Sequence, residues 1–134
     1  MRYHDHEHRV TYSETDQMGF AYYANYFVWF EIGRTELIRA SGLAYRELEE
    51  MGFMLPVLEA SARYISPVRY DDLLTIRSGV SEFKGIRIRF SYQILRDGLL
   101  LAEGMTFHAF MDKDGRPRKV SADVRQMIEK ASEP

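Results

Sequence analysis

The sequence predicts an α+β protein in which a curled antiparallel sheet of about five strands is wrapped around one long buried helix. Residues 24–40 carry apolar side chains at helical spacing, and their first half, YFVWF, is apolar on every side, which is typical of a helix buried on most sides. Beyond residue 52 the hydrophobic period changes to two over four long stretches, which indicates strands. A single buried helix has to be covered, and long strands cover it if their sheet curls.

The individual elements follow from local signals along the chain. In order, we predict a strand at 8–14, a loop at 15–19, the long helix at 24–40, a short helix at 44–51, strands at 53–65, 71–83, 86–95 and 99–112, and a last helix after Ser121. The long helix measures about 25 Å at 1.5 Å per residue, and Gly42 supplies its stop. Turns are expected at Lys84–Gly85 and at 96–98, where glycine accepts a positive φ.

In two of these elements the sequence pattern predicts which side chains form the apolar face. In 86–95, five apolar side chains alternate with polar ones, namely Ile86, Ile88, Phe90, Tyr92 and Ile94 against Arg87, Arg89, Ser91 and Gln93. Ser121 is expected to cap the last helix, with Val124, Ile128 and Ala131 on one face.

Length and composition define the class of protein. The 134 residues correspond to a single domain, 1–134, with 46% apolar and 28% charged residues, both ordinary for a globular chain. There is no cysteine, which removes disulfides, a thiol nucleophile and a cysteine zinc site. A net charge of −2 argues against nucleic-acid binding, and no stretch has the apolar length for a signal sequence or for membrane insertion. We expect a cytoplasmic protein.

The most informative stretch is YSETDQMGFAYYANYFVWFE, residues 12–31, in which an acidic loop and a glycine precede an aromatic segment, an Asn-Tyr pair and an acidic helical residue. It resembles the hotdog-fold thioesterases, and more narrowly the 4-hydroxybenzoyl-CoA thioesterase family and its bacterial acyl-CoA thioesterase relatives. Weaker support comes from RYISPVRYDDLLTI (63–76) and AEGMTFHAFMDKDGRP (102–117). The similarity spans roughly residues 9–119.

The resemblance implies an enzyme that hydrolyses the thioester of an aromatic or short-to-medium-chain acyl-CoA. It implies no cofactor, since coenzyme A is part of the substrate. It also implies a homodimer whose sheets join edge to edge, or a homotetramer, with active sites at the subunit interface.

The family's catalytic carboxylate falls on Asp16, which would attack the thioester directly or take a proton from water. The position seven residues on is Tyr23, where some relatives carry His, and its backbone N–H is the expected oxyanion donor at the start of the buried helix. Gly19 of the same motif is assigned to substrate binding. The alternatives are a capping or turn role for Asp16 and simple packing for Tyr23.

Further substrate contacts are assigned with their alternatives. Asn25 is expected to cap the helix or, less favoured, to contact substrate, and Glu31 to lie near the ligand or to meet another subunit. Coenzyme A phosphates need basic partners, preferably arginine. Two groups of basic residues qualify. The first is Lys84, Arg87 and Arg89, and the second is Arg116, Arg118 and Lys119; the alternative for each is a solvated sheet face.

The histidines are assigned no catalytic role. His4, His6 and His8 would share one face of a strand at a spacing that suits a metal, but a frayed polar terminus is the favoured interpretation. His108 is interpreted as a packing or hydrogen-bonding residue, and no metal is expected.

Two other functions compete with hydrolysis. The first is a non-catalytic module that binds acyl-CoA, against which the presence of Asp16 argues. The second is a hydroxyacyl-thioester dehydratase of the same fold, which is disfavoured because the long helix carries no histidine. The absence of G-x-S-x-G also argues against an α/β-hydrolase route.

Overall fold

A computed structural model describes residues 3–131 of the protein, with the backbone alone at Ala131. Its elements are β1 (His4–Arg9), a 3-10 turn (Tyr12–Glu14), α1 (Asn25–Ala40), α2 (Tyr45–Glu50), β2 (Val57–Tyr64), β3 (Leu73–Lys84), β4 (Arg87–Arg96), β5 (Leu99–Ala109) and α3 (Ala122–Ala131). The five strands form one antiparallel sheet in the order β1-β3-β4-β5-β2. The sheet curls around α1, so the predicted hotdog arrangement is confirmed.

Helix α1 is buried against the sheet over most of its length. Trp29, Phe30, Leu37 and Ile38 have no exposed surface, because the first half of the helix offers apolar side chains in every direction. The ring of Phe30 stacks on Tyr92 of β4, with 4.5 Å between the ring centres. Burial of these large side chains against the sheet stabilises the fold.

Two glycines allow the helix and the sheet to approach closely. A Cβ on Gly33 of α1 would lie 2.3 Å from Ser78 Oγ of β3. A Cβ on Gly104 of β5 would lie 2.5 Å from both the Phe30 ring and the carbonyl oxygen of Ser61. A larger side chain at Gly33 would push the helix from the sheet, and one at Gly104 would press on both the helix and the backbone of β2.

The amino-terminal segment differs from its prediction. The strand expected at 8–14 instead runs over His4–Arg9 and pairs with β3, and Tyr12–Glu14 forms a 3-10 turn. The turn is favoured because the carboxylate of Glu14 accepts the Thr11 N–H at 2.8 Å while the Glu14 N–H donates to the Thr11 carbonyl. The frayed terminus was also a wrong prediction from His4 onward, because β3 supplies a backbone partner for this strand.

The other predictions need small changes only. The second helix is shorter than expected, Tyr45–Glu50, and β2 starts at Val57, just after Pro56. The Ser121 cap is confirmed, since its Oγ accepts the Val124 N–H at 3.2 Å. The side chain of Ala131, the third member of the predicted face, lies outside the described residues.

The sheet has two ends that matter for the site. The β3–β4 turn marks one, here called the Lys84 end, and the β4–β5 turn marks the other, the Gly98 end. Strand β2 starts opposite His108, towards the Lys84 end, and finishes opposite Ala102, towards the Gly98 end. Six residues of extended strand separate these levels, which is about 20 Å.

Candidate active site

Asp16 lies in a tight loop between the 3-10 turn and α1. Its N–H donates to the carbonyl of Phe20 at 2.9 Å, and the N–H of Gly19 donates to the carbonyl of Asp16 at 3.0 Å. Gly19 has a φ of +82°, a conformation that glycine adopts without strain, and the space beside it is open. The loop predicted at 15–19 is therefore present.

The carboxylate of Asp16 is half-buried and is fixed through one oxygen. Oδ1 accepts the N–H groups of Met18 at 3.0 Å and Phe20 at 3.3 Å. Within residues 3–131, Oδ2 accepts no hydrogen bond. One oxygen thus holds the orientation of the group, and the other is available to a bound molecule.

A cavity of about 310 Å³ opens beside this carboxylate at the Gly98 end of the sheet. It is lined by residues 64–67, where β2 ends, and by Asp16, Met18, Phe20, Ala21, Tyr23 and Tyr26. Its lining is mainly apolar and aromatic around one carboxylate, a composition typical of small-molecule sites.

The start of α1 leaves two N–H groups without protein partners. The N–H groups of Asn25, Tyr26 and Phe27 donate to carbonyls three residues back, at 2.9 to 3.3 Å. Those of Tyr23 and Ala24 donate to no other group in the described part of the chain. Free N–H groups at a helix N-terminus attract negative charge. Sequence reasoning named the N–H of Tyr23 and not that of Ala24, and the oxyanion role of Tyr23 stays a prediction.

The expected capping role of Asn25 was wrong. Ala24 occupies the N-cap position with helical φ and ψ, and Asn25 is already inside the helix. Its Nδ2 donates to the carbonyl oxygen of Glu14 at 2.8 Å. The side chain joins the 3-10 turn to α1, because the chain returns to Glu14 after the Asp16 loop.

The two remaining members of the motif lie at different distances from the cavity. Gly19 is part of the Asp16 loop. Glu31 is exposed, about 9 Å further along α1 than Asn25, and does not line this cavity. Their assigned contacts with substrate stay predictions.

The basic residues assigned to the coenzyme A phosphates lie away from this cavity. Lys84 and Arg87 are exposed at the Lys84 end, and the Arg89 guanidinium donates to Ser81 Oγ at 3.0 Å. The exposed Arg116 is near the same end, because residues 110–118 continue from β5 there and Phe110 donates to Ile86. Within one chain, both basic groups are therefore separated from Asp16 by the length of the sheet.

Glu14 is a connecting residue that sequence reasoning did not identify. Its side chain accepts hydrogen bonds from His8 of β1, from Thr11 and from the indole of Trp29 in α1, the last at 2.6 Å. Burial alone would raise the pKa of Glu14, but these donors outweigh burial and lower its pKa below the ordinary value. The only sequence signal was an acid two residues before Asp16.

The histidines occupy two environments. His4, His6 and His8 share the inner face of β1, and no cluster of three or more His, Cys, Asp or Glu residues within the described chain could hold a metal ion. His108 is fully buried, with Nδ1 3.1 Å from the Leu55 carbonyl and Nε2 2.7 Å from Thr106 Oγ1. Burial lowers its pKa to about 4, so it is neutral at pH 7.

Comparison with known proteins identifies the family. The sequence profile described as the Thioesterase-like superfamily matches residues 10–131. The Bacillus subtilis protein YneP is 35% identical over 93% of this chain and 94% of its own length. The acyl-CoA thioesterase YbgC of Haemophilus influenzae is 34% identical over 78% of this chain and 77% of its own.

A solved structure gives the same answer for the fold and the class. The DHNA-CoA thioesterase of Staphylococcus aureus superposes with a TM-score of 0.91 at 27% identity, covering 97% of this chain and 91% of that one. In the described residues no helix is long and apolar enough to cross a membrane. The chain belongs to the thioesterase-like superfamily, has its hotdog fold, and is a thioester hydrolase of the acyl-CoA class.

Proposed function

We propose that this protein hydrolyses an aromatic or short-to-medium-chain acyl-CoA with Asp16 as the catalytic carboxylate. One observation carries the proposal: the free Oδ2 of Asp16 and the segment bearing the free N–H of Tyr23 border the same cavity. Thioester hydrolysis needs a nucleophile or base beside the carbonyl carbon and donors for the oxyanion. We assign the first role to Asp16 and the second to the N–H of Tyr23.

Two routes use the same groups. In the first, Asp16 attacks the carbonyl carbon, and the tetrahedral oxyanion is held by the N–H groups of Tyr23 and Ala24. Its collapse expels the thiolate of coenzyme A, and water then hydrolyses the acyl-aspartyl anhydride. In the second, Asp16 takes a proton from water, the hydroxide adds to the carbonyl carbon, and the intermediate collapses as Asp16 returns that proton to the sulfur, so that coenzyme A leaves as the thiol. One well-placed oxyanion donor lowers the barrier by about 3 kcal/mol.

The proposed site takes its phosphate-binding residues from a second copy of the chain. Strand β2 is a sheet edge, and its apolar residues Val57 and Leu58 are 48% and 53% exposed. If two β2 strands pair antiparallel about a twofold axis, the Lys84 end of one sheet comes beside the Gly98 end of the other. Lys84, Arg87, Arg89 and Arg116 of one copy then lie on the same side as Asp16 of its partner.

This arrangement fits the homodimer that the family resemblance implies, and two such dimers would form the homotetramer. It also gives each active site an acyl-binding wall and a nucleotide-binding surface on different subunits. Coenzyme A thioesters are metabolites of the cytoplasm, and we propose that location for the enzyme.

The test is an activity assay of the wild type and of Asp16→Asn. Each protein is given a panel of aromatic and C2–C10 aliphatic acyl-CoAs, and the release of free thiol is measured. We expect kcat to fall at least about 100-fold, because the amide is neither a nucleophile nor a base. Asp112→Asn is the matched control, since Asp112 Oδ1 likewise accepts N–H groups two and four residues on, at 2.9 and 3.0 Å, away from the cavity.

The control separates chemistry from loop structure, because asparagine keeps the Oδ1 acceptor at both positions. Equal activity of the wild type and Asp16→Asn would remove Asp16 from the mechanism. Binding of coenzyme A without thiol release in either protein would favour the non-catalytic binding module.

A further inference from the structure

The carboxylate of Glu14 joins three elements of the fold. Oε1 accepts the Thr11 N–H at 2.8 Å, Oε2 accepts Trp29 Nε1–H at 2.6 Å, and His8 Nε2 lies 3.0 and 3.1 Å from the two oxygens. The side chain is 15% exposed, and Trp29 is fully buried. A carboxylate with this many donors is fixed relative to β1, the 3-10 turn and α1.

The backbone of Glu14 closes the loop that carries Asp16. Its carbonyl oxygen accepts the Tyr22 N–H and Asn25 Nδ2, both at 2.8 Å. Asp16 is two residues after Glu14, and Tyr23 follows Tyr22 directly. Glu14 is anchored through its side chain. Its backbone therefore holds both ends of the segment that connects Asp16 to the free N–H groups at the start of α1.

We propose that Glu14 is a positioning residue that sets the place of Asp16 relative to the N-terminal N–H groups of α1. The inference rests on the proposed function of Asp16. Glu14 itself contacts no substrate, because its carboxylate is surrounded by donors from Thr11, His8 and Trp29 and does not line the cavity. Its effect is on geometry, and catalytic geometry is sensitive, since misplacement by about 1 Å can cost 100-fold in rate.

Glutamine cannot replace Glu14, although it has the same shape. The Thr11 N–H and the Trp29 indole N–H are donors that cannot become acceptors, and they bind different oxygens. A glutamine amide presents one oxygen and one NH2, so either orientation sets a donor against a donor. One N–H loses its acceptor, and the loop is expected to loosen.

The test combines kinetics with hydrogen–deuterium exchange on Glu14→Gln. We expect kcat to fall about 10- to 100-fold with KM within about twofold, since substrate contacts remain while the reacting groups are displaced. We also expect faster exchange of the amides of residues 16–22, whose hydrogen bonds close the loop. Trp29→Phe, which removes the indole N–H together with part of a fully buried ring, is expected to change both readouts in the same direction.

Tyr92→Phe controls for a general loss of stability. Its hydroxyl is bonded to Thr106 Oγ1 at 2.6 Å, away from the Asp16 loop, so the variant is expected to lower stability without faster exchange at 16–22. The proposal is overturned if Glu14→Gln exchanges at 16–22 no faster than Tyr92→Phe. It is also overturned if exchange rises while kcat is unchanged.

The two proposals fail in different ways. Full activity of Asp16→Asn overturns the catalytic role of Asp16, whatever Glu14 does. If no acyl-CoA in the panel is hydrolysed by the wild type, the exchange measurement decides alone whether Glu14 fixes the loop: unchanged exchange overturns it, and faster exchange supports it.

Discussion

The hydroxyl of Tyr64 donates a hydrogen bond of 3.1 Å to the carbonyl oxygen of Tyr23. It joins the last residue of the edge strand β2 to the segment just before α1, across 41 residues of sequence. The carbonyl of Tyr23 and the N–H of Ala24 belong to one peptide plane. The hydrogen bond therefore also orients a free N–H at the helix start.

Tyr64→Phe is expected to lower kcat about 3- to 10-fold, because a hydrogen bond of this kind contributes roughly 0.5–1.5 kcal/mol and here it orients the peptide that bears an oxyanion donor. The melting temperature should change little, since Tyr64 is 45% exposed. Tyr70→Phe is a matched control, an exposed tyrosine outside the cavity. An unchanged kcat in Tyr64→Phe would mean that the peptide is held without this bond.

Ala60→Glu is expected to weaken self-association. Ala60 is exposed near the middle of β2, so two copies paired about a twofold axis would bring the new carboxylates close together. Like charges on facing strands destabilise pairing. Sedimentation velocity over a concentration series should show a shift to the monomer, with a parallel loss of activity.

Gln126→Glu in α3 adds the same charge at an exposed position away from β2 and should leave association unchanged. If Ala60→Glu associates as strongly as this control, β2 is not the subunit interface.

The core of the fold was predictable because its signals are local. The alternation of Ile88, Phe90, Tyr92 and Ile94 with polar neighbours fixes which face of β4 is buried, and those four side chains are at most 1% exposed. The long helix was equally evident, since an all-apolar half-helix is stable only when covered.

The amino-terminal segment was not predictable, because its structure depends on distant partners. Strand β1 is held by β3, with Asp5 of β1 bonded to Arg77 of β3 at 2.9 Å across 72 residues of sequence. The 3-10 turn depends on the contacts of Glu14 with His8 and Trp29. Local propensity contains none of this information.

The cavity has residues with a local sequence signal and residues that only the fold brings to it. Asp16 and Tyr23 are seven residues apart in one sequence motif, and both line the cavity. Tyr64 and its neighbours reach the cavity only through the sheet order, and the separation of the basic residues from Asp16 follows from strand register. These relationships belong to the folded chain.

Gly104→Ala is expected to destabilise the protein by about 2–3 kcal/mol, the usual cost of overpacking a core. The added methyl would lie 2.5 Å from the Phe30 ring and 2.5 Å from the backbone oxygen of Ser61, and a backbone atom cannot rotate away. Urea unfolding followed by circular dichroism measures the change. Ser91→Ala on the other face of β4 should stay within about 0.5 kcal/mol, and an equally small effect at Gly104 would contradict the close packing.

Stability at acid pH depends on the buried imidazole of His108. Neutral His108 donates from Nδ1 to the Leu55 carbonyl and accepts the Thr106 hydroxyl at Nε2, and its pKa is lowered to about 4, chiefly by burial. An unfolded histidine has a pKa near 6.5, so between pH 6.5 and 4 the unfolded state binds the extra proton. The contribution of neutral His108 to the free energy of unfolding is therefore complete above pH 6.5 and is lost as the pH falls towards 4.

Between pH 7 and pH 5 this group alone should remove about 2 kcal/mol from the free energy of unfolding. The measurement is urea unfolding of the wild type and His108→Gln at both pH values, because glutamine can hydrogen-bond the same partners without titrating. The wild type should lose about 2 kcal/mol more than the variant on acidification. Equal losses in the two proteins would show that His108 does not resist protonation in the folded chain.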